Sequence, residues 1–311
     1  FLLEGEGGED GDITVLASAG ETALTLKGSG RVPANGVMTG TFDATLTSSD
    51  AEPALILFGQ ALPQTGMGVG VDLSATAELG AQTIALSDLS GTIGGNAVSG
   101  SLAFDRTAEQ ISAHGELALG HADLLWLTEL VLGPRLEALD GGTWSDSAFI
   151  APAEGTPQFD VTLSAETIDL GLAGEASDFS GRASYGDGRL QLSDASAGWH
   201  GGTVTGGFNL DNPDGTAFLS ANVEVKGADA AAIERGWSAD APVTGQAGFR
   251  ARVEGTGANS RALVKGLTGG GELSVSDFTL SGLDPDAFER IINGADRDSF
   301  ETETDQVEEL A

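Results

Sequence analysis

The chain has 311 residues, 47 acidic and 14 basic, and its net charge of −33 repels nucleic acid and anionic lipid headgroups. It contains no cysteine, which excludes disulfides, thiol catalysis and zinc fingers together. Glycine is 47 of 311, about twice the usual share of roughly 7%, and aromatics are only 6%, a composition that predicts many short strands joined by turns.

In chain order, Phe1–Asp12 starts as a strand fragment and becomes an acidic glycine loop. Its Glu9, Asp10 and Asp12 lack the alternating register and terminal Glu of an EF-hand, so calcium is set aside. Ile13–Ala17 and Thr22–Leu26 read as paired strands, followed by a strand at Val37–Leu46 and a polar break at Thr47–Pro53. Ala54–Phe58 is a short apolar run, either a central strand or one helical turn. Ala138–Thr156, rich in Gly, Ser and Ala, reads as a linker. Phe159–Leu172 is a strand pattern with Phe159, Val161, Leu163 and Ala165 on one face. Over Ala247–Val253 the alternation places Phe249, Ala251 and Val253 inward, with Arg250 and Arg252 outward. The carboxylate-rich tail Ala295–Ala311 has no strand alternation and reads as frayed or disordered.

An internal repeat organises these segments. Leu86–Asp123 recurs without a gap as Leu192–Asp229, with Leu86, Ser87, Asp88, Ser90, Gly95, Val98, Gly100, Asp105, Ala122 and Asp123 all finding the same residue 106 positions on (229 − 123 = 106). Each copy holds a Gly-Gly pair suited to a tight hairpin (Gly94-Gly95, Gly201-Gly202) and then an alternating strand, Val98–Phe104 or Val204–Leu210. Next comes a turn at Asp105 or Asp211, then a second strand, Glu116–Gly120 or Ala221–Lys226. Each copy then switches to helical spacing, with Asp123 capping a helix that carries Leu124, Leu125, Leu127, Leu130 and Val131, and Asp229 capping Ala230–Trp237. A third, shorter instance follows the strand Gly271–Leu280, where Asp284 and Pro285 open a helix through Phe288, Ile291 and Ile292.

No catalytic constellation is as specific as this repeat. There is no G-x-S-x-G, and none of His114, His121 and His200 stands four residues from another, so no helical metal pair exists. His200 falls in the turn where the first copy has Gly94 and reads as a tolerated turn residue. Gly269–Gly271 precedes a strand and lacks the Lys-Ser/Thr of a phosphate loop. Trp126, Trp144, Trp199 and Trp237 lie in different elements, which favours core or helix anchors over a sugar platform. No apolar run approaches the ~20 residues of a membrane span. Phe1–Glu4 lacks the basic flank and apolar length of a signal peptide.

The order of the units, and above all Lys265–Ile292 (KGLTGGGELSVSDFTLSGLDPDAFERII), resembles the AsmA-like family of bacterial envelope proteins, with agreement over Leu79–Asn293. The family's N-terminal inner-membrane helix and further C-terminal strands are absent, so the expectation is an excerpt of a longer protein. The expected fold is mainly β: an elongated, curved antiparallel sheet, open as a groove and built from repeats, with short helices after each unit. Its expected divisions are a first unit over 1–137, a linker over 138–158, a second unit over 159–295 and a tail over 296–311. The resemblance implies a periplasmic protein, anchored to the inner membrane through a segment outside this chain. It further implies a non-enzymatic role without cofactor, carrying phospholipid towards the outer membrane beside outer-membrane assembly components. The apolar face of the strands would form the groove, with candidate lining residues Phe159, Val161, Leu163, Val223, Val225, Phe249, Val253, Leu273 and Val275. Ordinary core packing is the competing reading for each. The rival functions are a structural or adhesive β-solenoid without ligand and, third, a polysaccharide-acting enzyme.

Overall fold

A computed structural model describes residues 2–4, 11–33, 36–51, 69–106, 111–133, 144–151, 158–235 and 243–280. Among them, fifteen strands form one open sheet in strict sequence order. The first eight are β1 (Leu2–Glu4), β2 (Gly11–Ala19), β3 (Thr22–Arg31), β4 (Thr39–Ser48), β5 (Val71–Leu79), β6 (Thr83–Ile93), β7 (Asn96–Arg106) and β8 (Ile111–Asp123). Helix α1 (Leu124–Leu132) leads to β9 (Gln158–Asp169), β10 (Glu175–Gly186), β11 (Arg189–Trp199), β12 (Gly202–Asp211) and β13 (Ala217–Asp229). Helix α2 (Ala230–Arg235), β14 (Val243–Gly257), helix α3 (Ser260–Lys265) and β15 (Thr268–Leu280) complete the sheet. The expected run at Ala54–Phe58, the helix after Asp284, Trp237 and the acidic tail lie outside the described residues.

The 106-residue repeat is a repeat of structure. Strands β6 and β8 begin at Thr83 and Ile111, and β11 and β13 begin 106 positions later, at Arg189 and Ala217 (189 − 83 = 217 − 111 = 106). Asp123 and Asp229 end β8 and β13 and cap the helices that follow. The Asp123 carboxylate accepts from the N–H groups of Leu125 (2.8 Å) and Trp126 (3.1 Å), and that of Asp229 from Ala231 (2.9 Å). Asp123→Ala should therefore lower stability by about 1 kcal/mol, measured as a shift of the urea midpoint. The hairpin residues differ by one from the expectation in the second copy: His200 and Gly201 form the turn, at φ 46° and 77°, and Gly202 already belongs to β12. These match Gly94 and Gly95, at φ 60° and 80°, as a two-residue turn with positive φ at both central positions requires.

A second motif recurs within the strands. Ser-Asp occurs at 87–88, 177–178, 193–194 and 276–277, and in every case the Asp adopts φ of 51–53°. The register slips at each of these sites, between Leu86 and Leu89 in β6, between Leu192 and Ala195 in β11, and likewise in β10 and opposite Thr244–Gln246 in β15. These are β-bulges, which bend a strand and raise its twist, so their repetition across the sheet curves it. Asp tolerates the left-handed region better than most residues, which explains its choice inside a strand.

Three further differences from the sequence expectation have physical causes. The sheet is antiparallel except at β8 and β9, which run parallel, Leu117 opposite Leu163. A parallel neighbour needs a crossover of a dozen or more residues, and the stretch from α1 to β9 supplies it. Strand β9 ends at Asp169, because the Asp169 carboxylate accepts from the Gly171 N–H (2.7 Å) and starts a 3₁₀ turn over Gly171–Ala173. Within the expected linker, residues 144–151 are a docked strap: Phe149 is buried, its N–H donates to the Ala258 carbonyl (2.9 Å), and Arg261 pairs with Asp146 (2.7 Å).

Candidate functional site

The nine residues expected to line a groove share one face of the sheet. One ladder row runs Val161, Ala183, Leu192, Phe208, Ala221, Val253, Gly269 from β9 to β15, and another runs Val204, Val225, Phe249, Leu273. Strand alternation puts Phe159 and Leu163 beside Val161, Val223 beside Val225, and Val275 beside Leu273. The same face continues across the parallel join into the earlier strands, through Leu117, Gly100, Leu89, Leu73, Leu46 and Leu24. The opposite face carries the charge, for example Asp43, Asp72, Glu116, Asp160, Arg182, Glu224 and Arg250.

Cover over the apolar face varies along the sheet. Helix α1 packs on β9, β11 and β12, where Leu127, Val131, Leu132 and Phe149 join Val161, Leu163, Leu190, Leu192 and Leu210 in one buried cluster. Val161 and Leu163 are thus core residues under a helix and do not line an open groove; α1 supplies the hydrocarbon that covers them. Val225 is also buried, while Phe159 stacks on Tyr185 with ring centroids 5.7 Å apart. Val223 and Val253 are half-buried. Exposure then rises to 40% at Phe249 and 70% at Leu273, and Val275 and Phe278 are exposed beside them. In the first half, Phe42 is buried because its ring lies against Gly30, where a Cβ would meet the ring at 2.8 Å.

Where covered and open parts meet, a cavity of about 370 Å³ opens on the apolar face. Leu124, Leu170, Trp199, Val204, Phe208 and Phe249 are among its walls, which are almost wholly hydrocarbon, and its volume falls in the usual ligand range of about 300–1,000 Å³. Trp199 is fixed there by its indole N–H, which donates to the Ala173 carbonyl (2.9 Å). Sequence reasoning missed Trp199, Phe208 and Leu124 as wall residues. The signal available was that Trp199 and Phe208 stand in phase with the apolar positions of their strands.

The polar face holds cross-strand ion pairs. Arg182 binds Asp160 through both Nε (2.7 Å) and Nη2 (2.6 Å), and Glu224 accepts from Arg250 and pairs with Lys226 (3.1 Å). The Arg182 hydrogen bond holds the Asp160 carboxyl below its ordinary value, and Arg250, then Lys226, does the same for Glu224. A carboxyl depressed in the fold stabilises it fully above its unfolded pKa of about 4, and that stability is lost as pH falls through the folded value. The loss of stability that Arg182 adds on acidification should accordingly be absent in Arg182→Gln, so the difference between wild-type and variant urea midpoints should be constant above about pH 5 and shrink below it. The effect is small because both pairs are solvated.

Among the described residues no three His, Asp or Glu side chains gather as a metal site. His121 bonds the Thr167 hydroxyl (2.9 Å), His114 stands 3.7 Å from Asp105, and His200 lies edge-on to Trp199. Among the described residues no helix is long and apolar enough to cross a membrane. No family model, curated protein or solved structure matches the chain.

Proposed function

We propose that the apolar face is a lipid surface and that this protein is an AsmA-like envelope component that supports phospholipid movement between inner and outer membranes. The observation that carries the reading is the single hydrocarbon face, exposed at β15 and holding an apolar cavity. An acyl chain laid along it gains about 0.8 kcal/mol per buried CH₂, and the headgroup stays in water at the rim. Hydrocarbon contact requires no specific polar partner, in keeping with walls that offer almost none. The AsmA-like assignment rests on the order of strands, turns and capped helices and on Lys265–Ile292. The periplasm, an inner-membrane anchor outside this chain and outer-membrane assembly partners follow from that resemblance.

A ligand-free structural β-scaffold is the second reading, favoured by the packed strip under α1, where Val161 and Leu163 leave no room for a chain. Lipid extraction and mass spectrometry of protein purified from cells without detergent separate the two. Co-purifying phospholipid supports transport, and Phe249→Asp should reduce it. Protein free of lipid, and unable to take any from vesicles of palmitoyl-oleoyl phosphatidylcholine, would leave the scaffold.

A further inference from the structure

We propose that helix α1 and the strap 144–151 form a displaceable lid, lying along the path of an acyl chain over β9–β12 and leaving it when lipid loads. This rests on the lipid reading of the apolar face and adds the element that controls access to it. The apolar face runs from β9 to β15; α1 and the strap cover it over β9–β12, α2 and α3 pack against β13 and β14, and β15 is left exposed. The cover belongs to a crossover connection, not to the sheet, so its departure gives up the isolated Ala148–Asn259 bridge but no pairing between the fifteen strands. Beside the buried polar Glu129 and Ser145, its buried apolar groups are Leu127, Val131, Leu132 and Phe149, hydrocarbon of the kind an acyl chain offers. Replacing them by a chain exchanges one apolar contact for another and keeps the sheet face dry.

The cavity starts at Leu124, the first residue of α1, so a chain end seated there already touches the edge of the lid. Polar contacts hold the cover along the strap, where the Phe149 N–H donates to the Ala258 carbonyl (2.9 Å), the Arg261 N–H to the Ser145 carbonyl (3.1 Å) and Arg261 pairs with Asp146 (2.7 Å), and at both ends of α1. Asp123 caps one end of α1, and at the other the Asn212 amide donates to the Val131 and Ile150 carbonyls (both 2.8 Å). That amide is completely buried, and its own Oδ1 has no hydrogen-bond partner, so the clip is incompletely satisfied. Once lifted, a nine-residue helix falls short of the ~12–15 residues that sustain helicity in water, so its amides would exchange freely.

Hydrogen exchange provides the first test, comparing delipidated protein with protein loaded from vesicles of palmitoyl-oleoyl phosphatidylcholine. Amides of 124–132 and 144–151 should exchange at least about tenfold faster when loaded, while β10 and β11 stay protected. The second test pins the strap with Ala148→Cys and Asn259→Cys, which form an isolated antiparallel bridge. Opposed Cα atoms in such a pair lie about 4.5–5.5 Å apart, suited to a disulfide, and the natural chain has no cysteine to compete. The oxidised form should take up several-fold less phospholipid than the same protein reduced, a comparison that cancels any loss from the substitutions. Bound phospholipid with unchanged or slower exchange at 124–132, and equal uptake in both redox states, overturns the lid and leaves the lipid surface standing. Absence of phospholipid from every form overturns both.

Discussion

Leu190→Ala is expected to destabilise the protein by about 2–5 kcal/mol, measured by urea unfolding, whereas Leu273→Ala should change it by less than about 0.5 kcal/mol. Both residues occupy the apolar face, but Leu190 is 1% exposed, opposite Leu210 in the ladder and inside the cluster that α1 closes. Its truncation loses transfer energy and leaves a hole that the sheet and helix cannot both close. Leu273 stands in water, and shortening it removes contacts that are hardly made. Leu210→Ala should be as costly alone, and the double variant less costly than the sum, because the two deletions share one cavity. Equal losses at positions 190 and 273 would contradict the gradient of cover on which the open trough depends.

Asn212→Asp should cost about 3–5 kcal/mol at neutral pH, because an ionised carboxylate would face two carbonyl oxygens in a dry site. The native amide gives one hydrogen to each carbonyl. A neutral acid has one to give, and a carboxylate none. Burial beside acceptors raises the folded pKa of the new group above the unfolded value of about 3.9. The folded variant then holds a proton that the unfolded chain releases, so its stability is greatest in acid and falls as pH rises through that window. Asn212→Ala should lose about 1–3 kcal/mol with no such dependence, and urea midpoints of both variants across pH separate the cases. Identical, pH-independent losses would show that water reaches position 212.

Much of this architecture was legible in the residues. The Leu86–Asp123 repeat located β6 to β8 and β11 to β13, and Asp123 and Asp229 announced both capped helices. Alternation in Phe159–Ala165 and Phe249–Val253 assigned the correct face, since one buried side imposes a period of two. What alternation does not carry is depth. Val161 and Leu273 have the same phase, and only a helix placed from elsewhere in the chain buries one and spares the other. The parallel join was hidden for a similar reason, because a helical pattern does not say to which side its chain returns. The strap composition, dominated by small residues, reads as linker, and its docking depends on partners far away in the chain: the pocket for Phe149, the Ala148–Asn259 bridge and the Arg261–Asp146 pair. Leu-Ser-Asp was visible as repeated letters, but its service as a bulge lies in the φ of the Asp, which a sequence does not display. Helix α3, six residues capped by Asn259 (2.8 Å to the Ala262 N–H), is too short to show a period.

Because each described strand sits beside its neighbour in the chain, most partners meet across a short span. Such local wiring favours rapid folding, with one hairpin after another zipping onto a growing edge, and the longest return, from β8 to β9, demands the widest search. Duplicating a hairpin lengthens an assembly of this type without rewiring the remainder, as a rung extends a ladder. Total span is then a quantity set by the number of modules, and the 106-residue echo has the form that adding a multi-strand module would produce.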